Sequence, residues 1–165
     1  MAATYEPIAT TTLGSAASSI TFSSISSTYT DLRLVLFVKT TAGDDLRLRF
    51  NTSTSTVYSY TYLYGNGTSA SSARQTGTTY INPAQPNQLP TAQFSLITAD
   101  IFSYTGSTNK TVLCTNSNDL NGSGVIETTV GLWRDTSAIN QIVLSPATGQ
   151  FSIGTTATLY GILKA

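Results

Sequence analysis

Apolar and polar side chains alternate along most of this chain, and the period is two. Leu32-Arg33-Leu34-Val35-Leu36-Phe37-Val38-Lys39 is a rich β run, and Leu46-Arg47-Leu48-Arg49-Phe50-Asn51 alternates strictly, with Gly43-Asp44-Asp45 between them. Alternation places successive side chains on opposite faces of a strand, so each run presents one face to a core and one to water. The two are expected to form a hairpin. Further strands are predicted over Ile8 to Leu13, Ser19 to Phe22, Val57 to Tyr64, Phe94 to Phe102, Lys110 to Thr115, Val125 to Trp133, Ile139 to Leu144 and Thr156 to Leu163. Thr105-Gly106-Ser107 marks a second hairpin turn, and Asn121-Gly122 introduces a further strand. The segment from Gly65-Asn66-Gly67 to about Gly77 lacks apolar periodicity and is expected to be a polar connection.

No segment carries a sustained helical stripe. Nine or ten short strands spaced by turn signals specify an all-β fold, and one apolar face per strand specifies an antiparallel two-sheet sandwich, jelly-roll-like, over a single domain spanning residues 1–165. Leu13 to Ile20 and Ile153 to Tyr160 echo one another, each with a glycine followed by small hydroxyl residues, and read as two strands built alike and possible neighbours. Asn82 to Pro90 holds three prolines and a formal P-x-x-P match; it is expected to be an extended connector, or an arm laid on a neighbour.

Composition narrows the chemistry. Ser and Thr supply nearly a third of the 165 residues, charged side chains 10 %, and histidine is absent. Without His, neither a Ser/His nor a Cys/His nucleophile pair can exist, and the usual metal ligand is missing. A Ser–Lys site could draw on Lys39, Lys110 or Lys164, but no spacing singles one out. Asp119-Leu120-Asn121-Gly122-Ser123-Gly124 opens like a calcium loop, yet Val130 stands where the twelfth-position carboxylate belongs, so a turn is expected. Asp44 and Asp45 are adjacent and read as turn residues. Gly65-Asn66-Gly67 lacks the helix that would complete a phosphate cradle. These readings give no enzyme, no catalytic residue, no cofactor and no metal.

Eight basic and eight acidic residues cancel, which removes the field needed to hold a polyanion, so nucleic acid is not an expected partner. It also removes the self-repulsion that opposes association. No apolar run approaches the length of a membrane span and no signal peptide is legible, so synthesis in a cytoplasm without membrane insertion is expected. Cys114, alone within an apolar run, reads as a small buried hydrophobe. Asn-x-Ser/Thr matches at Asn51, Asn66, Asn109 and Asn121 are about as frequent as this composition produces by chance.

The most unusual local feature is Tyr58, Tyr60, Tyr62 and Tyr64, which alternation aligns on one face of a strand. Such a strip can line a core, form a subunit contact, or stack on sugar rings. The four tyrosines are therefore candidate interface or glycan-stacking residues.

The ends of the chain resemble a known group. Tyr5-Glu6-Pro7-Ile8-Ala9-Thr10, Ile20-Thr21-Phe22 and Tyr29 to Leu34 at the start, with Trp133, Ala138 to Ile142 and Leu159-Tyr160-Gly161-Ile162 at the end, resemble small virion structural proteins of tailed bacteriophages. The resemblance implies a capsid decoration or cement protein, a head fibre or a tail-tip module, often trimeric, with no catalytic residues. The expectation is a homotrimer on the capsid surface of the virion, clamping the major capsid protein. The alternative is a carbohydrate-binding attachment module that uses the tyrosine strip to hold host surface glycans.

Overall fold

The structure, a computed structural model, describes residues 4–84 and 89–163. Eleven strands and no α-helix occur among them: β1 (Tyr5–Thr12), β2 (Ile20–Phe22), β3 (Asp31–Val38), β4 (Leu46–Phe50), β5 (Tyr58–Gly65), β6 (Ala70–Thr78), β7 (Ser95–Ile101), β8 (Lys110–Asp119), β9 (Gly124–Trp133), β10 (Ile142–Pro146) and β11 (Thr156–Ile162). They form an eight-stranded sheet in the order β1-β11-β3-β7-β8-β9-β5-β6 and a three-stranded sheet in the order β2-β10-β4, with antiparallel pairing throughout.

The order decodes as a rolled-up hairpin. With β5–β6 and β8–β9 set aside, β1 pairs β11, β2 pairs β10, β3 pairs β7, and Leu48 of β4 bridges Ile81. First meets last, second meets second-last, and so inward to the bend. Contacts of β11 with β3 and of β10 with β4 then close the roll into two facing sheets, the double Greek key of a jelly roll. The two hairpins set aside are insertions that widen one sheet by four strands.

The hairpin expected between the runs 32–39 and 46–51 does not form. β3 and β4 lie in opposite sheets, where Leu32, Leu34, Leu36 and Val38 of one and Leu46, Leu48 and Phe50 of the other are all buried in the shared core. The chain crosses between sheets at Thr40, which bridges Phe151, and at Asp44, whose carbonyl accepts from Leu89 N–H (3.3 Å). The hairpin predicted around Gly106 is present as β7–β8. The polar stretch expected to be a connection is instead β6, ordered by its ladder to β5. Strand 5–12 and strand 156–162 are neighbours, and the pairing continues beyond them through Leu13 N–H to the Thr155 carbonyl (2.9 Å).

Phe50, Tyr58 and Trp133 meet at the centre, Phe50 and Trp133 with ring centroids 5.5 Å apart. Asn82, Pro83, Ala84, Leu89 and Pro90 are buried, so the described parts of the proline segment belong to the core and are not an arm on a neighbour; Gln85 to Gln88 lie outside the described residues. Asn51 fixes the corner after β4. Its backbone is left-handed (φ 50°), its Oδ1 accepts from the N–H groups of Asn140 (3.0 Å) and Gln141 (3.2 Å), and its Nδ2 donates to the Ala138 carbonyl (2.8 Å).

Candidate functional site

Among the described residues, the candidate reactive groups are enclosed or already engaged. Cys114 is fully buried, and burial, with the nearby Glu127 and Asp100 carboxylates, pushes its thiol pKa far up. Ser95 Oγ donates to Asn116 Oδ1 (2.6 Å) and Thr129 Oγ1 to Glu127 Oε1 (3.0 Å), all inside the core. Lys110 is buried and donates to the Gly106 carbonyl (2.7 Å) and the Thr108 carbonyl; desolvation lowers its pKa against the opposing pull of Asp135. Lys39 lies over the Phe94 ring, 5.0 Å from its centre, and Lys164 lies outside the described residues. Residues Asp119 to Gly124 form a turn in which Asp119 Oδ1 accepts from Gly122 N–H (3.2 Å). Among the described residues no cluster of three or more His, Cys, Asp or Glu could hold a metal.

The tyrosine strip divides in two. All four rings point to the inner face of the large sheet, and the first pair is sealed there. Tyr58 is fully buried, its hydroxyl accepting from Phe50 N–H (3.0 Å) and donating to the Phe50 carbonyl (3.3 Å); Tyr60 is 6 % exposed. Burial, with Tyr80 and Asp45 close by, pushes the Tyr60 phenol up to about 12, against a hydrogen bond from Asn82. Neither ring offers a face to a sugar. Tyr62 and Tyr64 are only half-buried, because β5 there pairs with β6, whose inward residues Ala73 and Ser71 are exposed. What remains accessible is a short shelf of two phenols rimmed by small polar side chains.

The broad surface is elsewhere, on the outer face of the eight-stranded sheet. Strand register aligns Thr10, Thr158, Val35, Thr98, Thr115 and Thr128 in one continuous row that ends at Leu63. Hydroxyls along it bond laterally, Thr10 with Thr158 at 3.0 Å and Thr98 with Thr115 at 2.7 Å. Parallel rows on either side carry Phe37, Leu96 and Ile126, and Leu113 and Val130. Together with Leu63 these make six large apolar residues exposed on one face, with Ile126 at 69 % and Leu63 at 60 %. The central charges, Arg33 and Asp100, pair at 3.5 Å, and Arg74 and Asp119 stand at the rim. Six strand spacings of about 4.8 Å and a strand length of about 26 Å give roughly 750 Å², close to the ~800 Å² one partner contributes to a standard interface.

A face of this kind can exclude water against another surface, since the charges at its centre, Arg33 and Asp100, are paired and its apolar groups flank an uncharged hydroxyl row. It has little shape for a small molecule; the depression lined by Ser59, Thr61, Arg74, Thr76 and Leu132 is open and shallow. Each strand's outward alternation was legible in the sequence, but not that these outward sets lie side by side. Searches against family models, curated proteins and solved structures return no match to this chain.

Proposed function

We propose that this protein is a bacteriophage virion structural protein, a capsid decoration protein that seats the outer face of its large sheet on coat subunits and reinforces their contacts. The observation that carries the reading is that face: six exposed large apolar residues on either side of and along a threonine row that crosses seven strands, with its central charges paired. Burial of Phe37, Leu63, Leu96, Leu113, Ile126 and Val130 supplies the non-directional part of the affinity, and the threonine row between them supplies hydroxyls that bond a partner without a charge to desolvate. The jelly-roll architecture is compatible with a virion role, and the resemblance at the two ends of the chain points the same way.

Copy number and heating of purified particles test it. Hundreds of copies per particle, and a capsid that ruptures at lower temperature when the protein is stripped, are the expected results. Ile126→Lys with Val130→Lys, folded normally, should fail to rebind stripped capsids; full occupancy by that variant would overturn the assignment.

A second reading has one observation behind it, the half-uncovered pair Tyr62 and Tyr64, whose rings and rim suit a sugar. Glycan binding that vanishes in Tyr62→Ala with Tyr64→Ala, while capsid occupancy is unchanged, would make the protein an attachment module.

A further inference from the structure

We infer that β6 is the strand through which two copies of this chain join, edge to edge, about a two-fold axis at Ala73. The inference goes beyond the capsid reading and does not rest on it. β6 is the last strand of the eight-stranded sheet, and among the described residues it pairs with β5 alone. Eight of its nine residues are exposed, and its largest apolar side chain is alanine. Side-chain burial within one copy therefore does little to hold it, while its free edge offers a row of unpaired N–H and C=O groups.

The other sheet edges are blunted. β1 carries Pro7, which has no N–H, and its register slips between Pro7 and Ala9. β2 is three residues long, and the outer side of β4 is bridged by Ile81. Among the described strands β6 is the one long edge with neither proline nor lysine, and its one irregularity, at Gly77, lies next to its end and leaves seven residues regular.

Sequence and register then select the occupant. The regular ladder of β6 ends where the pairing slips opposite Tyr58 and Ser59, at Gly77 (φ +64°), which leaves residues 70–76 as the straight run. Its midpoint is Ala73. Antiparallel pairing of that run with itself satisfies both edges at once, keeps Ser71, Ala73 and Gln75 on one face, and sets Arg74 of each copy opposite Ser72 of the other. Centring it one residue later would oppose the two Arg74 guanidinium groups, which like-charge repulsion disfavours. A net charge of zero adds no long-range repulsion between the copies. The association is isologous, the same strand on both sides, in contrast to the three-fold assembly the resemblance suggests.

Sedimentation equilibrium on the purified chain should give twice 17.4 kDa. Ala73→Lys should halve that mass with the far-ultraviolet spectrum unchanged. Ala73→Cys should form an inter-chain disulfide in air, because residues directly opposite in an antiparallel pair have Cα atoms about 4.5–5.5 Å apart, within disulfide range, whereas Thr10→Cys on β1 should not. A monomeric or trimeric native mass, a dimer indifferent to Ala73→Lys, or cross-linking at Thr10 in place of Ala73 would each overturn the inference. Loss of capsid binding by the outer-face variant leaves it untouched, so the two readings fail separately.

Discussion

Ile81 rests on the bare backbone of Gly131. A Cβ at position 131 would lie 2.7 Å from both Cδ1 and Cγ2 of Ile81, closer than side chains tolerate, and Ile81 is the residue that bridges Leu48 to close the small sheet. The glycine on β9 therefore sets how deeply the far side of the sandwich can sit. Gly131→Ala should cost about 1–3 kcal/mol of stability through overpacking, read as a lower urea midpoint with an unchanged slope. Gly14→Ala, where no atom lies within 4 Å of the new methyl, should leave the midpoint in place. Equal behaviour of the two variants would show that the sandwich gives way around residue 131.

Stability should decline in alkali as the buried Tyr60 phenol is forced to ionise. The Tyr60 phenol is held up to about 12 by burial, while in the unfolded chain it ionises near 10. Its raised folded pKa contributes stability that is fully present below pH 10 and is lost as pH rises through 12. At about 1.4 kcal/mol per unit the contribution is on the order of 3 kcal/mol. Tyr58 and Tyr104, both raised chiefly by burial, act in the same direction. Denaturation between pH 9 and 12 should show this loss, and Tyr60→Phe should flatten part of it; an identical pH profile for the variant would remove Tyr60 from the account.

Cys114 should be inert in the native protein. The thiol is buried and its pKa is raised by desolvation, with Glu127 and Asp100 adding to the shift, so almost no thiolate exists at neutral pH. An aromatic disulfide reagent should label one thiol per chain in denaturant and none without it. Native labelling on the time scale of mixing would mean that β8 opens locally.

Asn51→Ala should destabilise the fold by about 1–3 kcal/mol. The change strands the N–H groups of Asn140 and Gln141, frees the Ala138 carbonyl, and places alanine at a left-handed φ of 50°. Asn51→Gly relieves only the backbone part, so it should recover a fraction of the loss. If glycine restored full stability, the side-chain bonds would be energetically idle.

Some of this was open to sequence reading because it is local. In β8 every second residue from Lys110 to Asn118 is buried, and the Gly106 and Gly122 turns hold the β7–β8–β9 meander together; alternation and turn chemistry act over a few residues and show in the order of the letters. β6 was not legible, because Ala70 to Thr78 has no buried face and is ordered by a neighbour's hydrogen bonds. Which of the four tyrosines line the core was not legible for a related reason. Whether Tyr58 and Tyr60 meet solvent depends on what covers β5, and that is Phe50 together with Asn82, residues near in space and separate in sequence.

Taken alone, the sequence determined the fold class, the two-sided character of the strands that have a buried face and the absence of histidine chemistry, all of which follow from residue type and a period of two. Only the tertiary structure decided which strands adjoin, since any strand with one apolar face can pair with several others at similar local cost. That choice put β3 and β4 in opposite sheets and brought outward residues from seven strands into one face. It also left one long edge of the large sheet undefended. The surfaces that carry this protein's proposed work are thus sums over distant segments, governed by long-range pairing rather than by any stretch of residues.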